Sequence, residues 1–296
     1  MSPSPPLEPL DRKSRRAQAA WSLITARLAD TRDEEGALAW KLTPDGVHDL
    51  RVATRRLRAA LKAFRDLGDL APREREVKRL QDALGEVRDL HVQGAWLEEA
   101  ARKAPSSHRA GLQELHARLM SPLPDKERRL RSALSRWAER TVPSLKRETQ
   151  LLDGPGTYGG RRVRQELSQR LLQVEQLMKD CAENLDAPTA HELRKDVKRL
   201  RYEAELFLPA LGREVKTLLK ALKPLQEKLG ELHDADVRLQ LLQDFALEGP
   251  EAQRAAALEL LQAVREERAR HAALTRRELE DWHDEQRARA LRGLLD

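Results

Sequence analysis

One segment of the sequence spaces a histidine and four cations so that a helix would bring them together. These residues are His48, Arg51, Arg55, Arg58 and Lys62. At about 100° per residue they lie on one side of a helix, opposite the leucines of the same segment. We call this set a basic stripe. Like charges this close repel one another, so a solvated face gains nothing from the pattern, whereas an anionic ligand would be attracted to it.

The same stripe recurs 143 residues later in the chain. His191, Arg194, Lys198 and Arg201 take the places of the first copy, and the exchange of Arg55 for Lys198 keeps the charge. The second stripe is less pure because one glutamate falls on it. Further basic residues adjoin the two stripes: Arg56, Lys195 and Arg199.

A second pair of matching segments follows each stripe. Residues 84–86 and 229–231 both read Leu-Gly-Glu, at an offset of 145, and Asp89 and Asp234 keep that offset. Cations recur here as well: Arg75, Lys78, Lys220 and Lys223. We expect the aspartates either to orient stripe cations through hydrogen bonds or to form surface pairs. A glycine within a helix costs about 1 kcal/mol relative to alanine, so its repetition indicates close approach, by a neighbouring helix rather than by a ligand.

Two ordered matches at nearly the same offset indicate an internal duplication. We predict a disordered tail over 1–10, a first helical bundle over 11–150, a Gly-rich linker over 151–160 and a second bundle over 161–296. The linker region contains four glycines and a proline within nine residues. The predicted fold is all-α, with two pseudo-symmetric antiparallel four-helix bundles.

Start and stop signals place the individual helices. In the first half, Thr43-Pro44 begins a helix that runs to about 67, Ala71-Pro72 begins one to about 103, and Pro124 precedes one through 140. In the second half we predict helices near 161–184, 188–207, 213–246 and 251–291. Pro224 either kinks the third of these or marks its true start.

Composition narrows the classes of protein. The chain has 296 residues, of which 40% are hydrophobic and 35% charged, with a net formal charge of +6. Few Gly and Pro exclude a loop-rich β-protein, and so modest a surplus of charge means that any anion site depends on how the cations are arranged. The single cysteine, Cys181, and the lack of a secretory or membrane-spanning segment favour a cytoplasmic protein.

The paired motif resembles the CHAD family, the conserved histidine α-helical domain. The resemblance covers about residues 12–290 and is carried by the two stripes and by the Leu-Gly-Glu-x-x-Asp segments. It implies two pseudo-symmetric four-helix bundles that bind inorganic polyphosphate through the basic surface between them, in some members on polyphosphate granules. The residues to which the resemblance transfers this role are His48, Arg51, Arg55, Arg58, His191, Arg194, Lys198 and Arg201, with Arg56 and Arg199 beside them. One departure is that His233-Asp234-Ala-Asp236 corresponds to Arg88-Asp89-Leu-His91, so unequal contributions of the two halves stay open.

Motifs for chemistry on phosphates are missing. Glu74-Arg-Glu76-Val-Lys78 matches the signature of triphosphate tunnel enzymes, but that signature needs a strand, and on a helix Glu74 and Glu76 diverge by about 200°. The sequence has no nucleotide-binding loop, no zinc-ligand spacing and no nucleophile beside a base. We therefore predict no catalytic residues, no metal and no cofactor.

Three functions remain. We favour non-catalytic binding of inorganic polyphosphate, because the residue pattern and the resemblance agree. A nucleic-acid-binding helical protein is the alternative, disfavoured by the small number of aromatic residues (five Trp, two Tyr and three Phe) and by the absence of a reading motif. An enzyme acting on phosphate esters or anhydrides is third, because no general base or carboxylate cluster accompanies the cations. The oligomeric state, the preferred chain length and the cellular role stay open.

Overall fold

The computed structural model describes residues 10–38, 41–248, 250–282 and 293. The described chain is all-α, as predicted, and its only β-type pairing is an isolated bridge between Arg15 and Thr157. The helices are α1 (Arg16–Leu38), α2 (Pro44–Ala63), α3 (Ala71–Lys103), α4 (Ser106–Met120), α5 (Leu123–Arg136), a π-helical turn (Trp137–Thr141), α6 (Val142–Gln150), α7 (Arg161–Glu183), α8 (Ala187–Leu206), α9 (Leu208–Glu248) and α10 (Glu251–Trp282). Within the described residues, no helix combines the length and the apolar character needed to cross a bilayer.

The two helices that carry the stripes, α2 and α8, begin in the same way. The Thr43 side chain accepts a hydrogen bond from the Gly46 amide at 3.2 Å, and the Asp186 side chain accepts one from the Thr189 amide at 2.8 Å. Each cap is followed by a proline within the first turn, where a missing N–H costs nothing. These shared signals fix where each stripe starts.

Several predicted boundaries need correction. Pro224 is not the start of α9: the helix passes through it, and the residue with non-helical angles is Gly212, at φ 45° and ψ −106°. Leu222 and Leu225 on either side of the proline are fully buried, and this packing offsets the lost hydrogen bond. The helix predicted through 140 continues as the π-helical turn and α6. The predicted tail over residues 1–10, apart from its last residue, and the part of the predicted 251–291 helix beyond 282 lie outside the described residues.

Sequence reasoning missed α1 and α4. The buried side of α1 contains small or polar residues such as Ala19, Ala20, Ser22 and Thr31, which give little apolar periodicity. In α4, the buried positions are reduced to Gly111, Leu112 and Leu115. Helices with a weak apolar stripe are the ones that hydrophobic periodicity predicts least well.

The apolar core forms two clusters, and polar segments of α3 and α9 lie between them. The larger cluster draws on both halves of the chain, and the Phe64 and Phe207 rings meet edge to face with centroids 6.1 Å apart. The smaller cluster joins the far ends of α3 and α4 to α9 and α10, for example Leu97 and Leu115 with Leu242. Passing from one cluster to the other, α3 and α9 carry Arg88-Asp89-Leu-His91 and His233-Asp234-Ala-Asp236.

The Gly-rich segment over 151–160 is anchored to the core. Tyr158 is fully buried, its hydroxyl donates to the Leu206 carbonyl, and its amide donates to the Ser14 carbonyl at 2.9 Å. Gly154 and Gly156 adopt positive φ angles of 151° and 103°. This connection therefore has one defined path, which glycine makes possible.

Replacing Gly154 by alanine tests that path. A Cβ there would lie 2.6 Å from Leu67 Cδ2, on a backbone conformation that side chains rarely adopt. We expect the free energy of unfolding to fall by about 1–3 kcal/mol in urea titrations. Gly36→Ala is the control, because nothing lies within 4 Å of that Cβ and the residue is helical. It should stabilise the protein by up to about 1 kcal/mol; equal behaviour of the two variants would contradict the assignment.

Candidate polyanion-binding site

The two stripe helices contact each other. α2 packs on α8, and Arg55 of α2 donates to the Tyr202 hydroxyl of α8 at 3.3 Å. The Arg55 guanidinium carbon also lies 5.9 Å from the centre of the Tyr202 ring, within cation–π range. The stripes of the two halves therefore meet along one line of contact, so that cations from both helices act on one another.

Four of these cations form the centre of the site. Arg51, Arg55, Arg194 and Lys198 all influence one another's charge across the α2–α8 contact, and we call them the central cations. In the described part of the chain none of them has a carboxylate within 4 Å, and Arg55 bonds only to Tyr202. The Nε atoms of Arg51 and Arg194 are shielded from water and have no hydrogen-bond partner. The result is a set of partly buried positive charges without counter-ions.

The pKa of Lys198 is lowered by burial and by these neighbouring charges. Burial lowers its pKa most, Arg194, Arg55 and Arg51 lower it further, and together they bring it to about 7, against the weak opposing pull of Asp234. Burial, followed by Arg55, also lowers the pKa of Arg51. Arginine keeps its proton at neutral pH in any case, so Lys198 is the cation whose charge changes in the physiological range.

Two aspartates supply negative charge at longer range. Asp89 and Asp234 form no hydrogen bond or contact ion pair in the described structure, so neither arrangement expected from the sequence is found. Their charges still act on Arg51 and Arg194. Asp89 has an exposed side chain, but surrounding protein raises its pKa through loss of hydration. The carboxylates moderate the positive field without neutralising it.

Histidine rings line the same region. The Nδ1 atoms of His191 and His233 lie 3.4 Å apart, and their ring centroids are 4.9 Å apart. Burial, then Arg194, lowers the pKa of His233 to about 4. Burial is also the largest cause of the lowered pKa values of His48, His191 and His91. These rings are therefore mainly neutral at pH 7 without a ligand and can exchange hydrogen bonds with an anion.

The other predicted cations are mostly paired. Arg58 donates to Glu74 at 2.6 Å and to Gln81 at 3.0 Å, and Arg201 donates to Gln226 at 2.6 Å. Lys62 lies 3.7 Å from Glu74. The remaining pairs join Arg56 with Glu205, Lys195 with Glu192, Arg199 with Glu203, Lys78 with Asp82 and Lys223 with Glu227. Arg75 and Lys220 are exposed. The stripes thus divide into a central group without counter-ions and an outer group with them.

The structure adds residues that the stripe pattern did not select. Arg88 donates to the Pro44 carbonyl at the start of α2 at 3.3 Å, and its charge acts on His48 and Asp89. Tyr202 positions Arg55, and His233 meets His191. Arg88 and His233 occupy equivalent positions of the repeat, at the offset of 145. The repeat therefore indicated that this position matters in both halves.

The two glutamates of the segment that matches the tunnel-enzyme signature accept hydrogen bonds from different arginines. Glu74 accepts from Arg58, whereas Glu76 accepts from Arg73 at 2.7 Å. Both are held by arginines on a helix, in keeping with the expected divergence. Among the described residues, no group of three or more His, Cys, Asp or Glu side chains is arranged to hold a metal ion.

The two repeated glycines have different surroundings. A Cβ on Gly85 would lie 3.5 Å from both Nε and Nη2 of Arg51, whereas one on Gly230 would have nothing within 4 Å. Close helix packing, the expectation from the sequence, does not explain either position. Gly85 instead leaves room for the Arg51 guanidinium.

Leucine at these two positions makes a matched pair of variants. We expect Gly85→Leu to displace the Arg51 side chain and to weaken binding of a polyanion by about tenfold, the equivalent of one charged contact. Gly230→Leu should bind as the unmodified protein does, because a Cβ at that position has nothing within 4 Å and so no stripe cation to displace. Fluorescence anisotropy with a labelled polyanion measures both, and equal affinities would show that Gly85 has no bearing on Arg51.

Similarity to known proteins supports the same reading of the chain. Residues 22–243 match the CHAD domain family. The crystal structure of the CHAD domain from the plant Ricinus communis has a TM-score of 0.64 and 26% identity, over 98% of this chain and 94% of that one. PptA from Streptomyces chartreusis has a TM-score of 0.65 at 15% identity, over 90% of this chain and all of the other, and shows likeness of fold. No curated protein matches the sequence. With the family pattern extending over most of its length, the chain belongs to the CHAD domain family.

Proposed function

We propose that this protein binds inorganic polyphosphate without catalysing a reaction, and that the ligand lies against the central cations. The observation that supports this most is the group of Arg51, Arg55, Arg194 and Lys198, which come from two helices, repel one another and have no counter-ion within 4 Å among the residues that the structure describes. Such a group raises the free energy of the empty protein. A bound polyanion reverses the sign of that electrostatic contribution.

Polyphosphate matches the chemistry of the site. It is a flexible chain with about one negative charge per unit, and guanidinium forks and an ammonium group bind its oxygens without needing any base to be read. Neutral histidines beside the cations add hydrogen-bond donors for the same oxygens. Association with polyphosphate granules follows as part of the proposal.

The proposal includes an origin by duplication. In it, each half of the chain is a four-helix bundle, the bundles are related by pseudo-symmetry, and each contributes one stripe. The similar starts of α2 and α8, and the contact between them, support this arrangement. The two halves differ in one detail, since a Cβ on Gly85 would lie 3.5 Å from Arg51 whereas one on the equivalent Gly230 would have nothing within 4 Å.

Competition between polyphosphate and DNA tests the proposal. Purified protein is titrated with labelled long-chain polyphosphate over a series of salt concentrations, with and without excess duplex DNA. We expect affinity to fall steadily with salt through release of counter-ions, and DNA to displace little of the ligand. Equal loss to DNA would favour the nucleic-acid alternative. Release of phosphate, with or without divalent metal, would favour an enzyme.

A further inference from the structure

A second strongly basic surface lies outside the α2–α8 contact. Residues 128–147 contain seven cations and one acid, so this stretch carries a net charge of +6, equal to that of the whole chain. All seven cations are exposed. The stretch covers most of α5, the π-helical turn and much of α6, which pack on α3 and α1 rather than along the stripe helices. We call its row of Arg129, Arg136, Arg140 and Arg147 the outer basic face.

The row of arginines is held on one continuous rod. Leu130, Trp137 and Leu145 are buried on the side of the rod that faces the core, and the Trp137 indole donates to Glu35 at 2.8 Å. This anchoring fixes which side faces solvent. At about 1.5 Å per residue, the row from Arg129 to Arg147 extends for about 27 Å.

None of the four arginines of the row has a carboxylate partner among the described residues. Arg136 donates to the Ser132 hydroxyl at 2.8 Å and Arg147 to the Ser144 hydroxyl at 3.1 Å, and both acceptors are neutral. Arg129 and Arg140 have no side-chain partner among the described residues. The helix α10 of the second half is unlike this row, because glutamates alternate with its exposed arginines. A solvated face usually shows that mixed pattern.

The chemistry of the face favours a phosphate chain without bases. Guanidinium forks suit phosphate oxygens, and arginine predominates over lysine in this stretch. The one aromatic residue between 128 and 147 is Trp137, which is buried and so offers nothing for bases to stack on.

We propose that the outer basic face is a second binding surface for polyphosphate, separate from the central cations, so that one protein holds two segments of the polymer. This rests on the proposed function, since it assigns a second site for the same ligand. A protein with two such surfaces cross-links long chains, and linked sites gain avidity without any new contact.

The test counts binding segments with a short polyphosphate fraction, too short to span both surfaces, by isothermal titration calorimetry at fixed salt. The unmodified protein should bind two segments per chain. A face variant with Arg129, Arg136, Arg140 and Arg147 replaced by glutamine should bind one. The control variant replaces four exposed arginines of α10 by glutamine, which removes the same charge, and it should still bind two: Arg265, Arg270, Arg276 and Arg277. Turbidity with long-chain polyphosphate should be lost in the face variant alone.

Each other outcome has a definite meaning. One segment per unmodified chain, or identical behaviour of the face and α10 variants, would overturn the second surface and leave the proposed function standing. A face variant that loses duplex DNA binding but still binds two polyphosphate segments would overturn it in favour of nucleic acid. Absence of any polyphosphate binding by the unmodified protein would instead remove the proposed function itself. Circular dichroism of each variant establishes that the fold is retained.

Discussion

Simultaneous replacement of the central cations by glutamine should weaken polyphosphate binding by at least about a thousandfold. Four charged contacts of at least about 1 kcal/mol each correspond to that factor or more. The same variant should unfold no more easily than the unmodified protein. At low salt we expect it to be more stable by about 1 kcal/mol, because four like charges with no counter-ion in the described part of the chain repel one another. Loss of binding combined with unchanged or increased stability is the signature of a binding site rather than of a structural network.

A matched control separates this effect from bulk charge. Replacing Arg56, Lys78, Lys195 and Lys223 by glutamine removes the same four charges, but each of these residues has a carboxylate partner. We expect its affinity to stay within about threefold of the unmodified protein, as for rim charges that are already paired. Equal losses in the two variants would mean that polyphosphate responds to overall charge, which contradicts a defined site.

Affinity should fall by about tenfold per pH unit as the pH rises above about 7, because of Lys198. In the unliganded protein its pKa is about 7, lowered first by burial and then by the charges of Arg194, Arg55 and Arg51. A bound polyanion raises that pKa, so binding takes up a proton wherever the pH lies between the free and the bound values. Calorimetry in two buffers of different ionisation enthalpy measures this uptake directly.

Two substitutions check the assignment to Lys198. Lys198→Arg keeps a charge that does not titrate, so its affinity above pH 7 should stay constant and exceed that of the unmodified protein at pH 8. Lys198→Gln should bind more weakly, and any pH dependence left below 7 should come from the histidines His48, His191 and His233, whose pKa values start lowered. A fall in affinity above pH 7 that persists in Lys198→Arg would show that another group is responsible.

Much of the fold follows from local signals in the sequence. Thr43-Pro44 marks the start of α2 and Ala71–Lys103 is a helix with the predicted ends, because caps and prolines act within a few residues. The sequence left open whether Pro224 kinks its helix or starts it, because burial of the surrounding residues, a tertiary effect, decides whether a helix continues through a proline. The helix α1 was not predicted for a similar reason. The burial of its small and polar residues depends on packing partners that lie far along the chain.

The sequence predicted the two stripes of the candidate site. It did not predict which of their cations are paired with carboxylates and which are not. Periodicity places Arg51 and Arg58 on the same side of α2, yet only contacts with α3 tell that Arg58 is paired with Glu74 and that Arg51 is not. The near-neutral pKa of Lys198 likewise depends on burial, and then on charges from two helices that are distant in sequence. The repeat itself did place Arg88 and His233 at equivalent positions of the two halves, although neither residue belongs to a stripe.

A crystal structure of the protein with bound polyphosphate is the most direct measurement of the central claim. We expect phosphate oxygens within hydrogen-bond distance of Arg51, Arg55, Arg194 and Lys198, with the polyphosphate chain passing along the contact between α2 and α8. Phosphates found only beside the paired outer cations, with the central cations still without an anion, would contradict it.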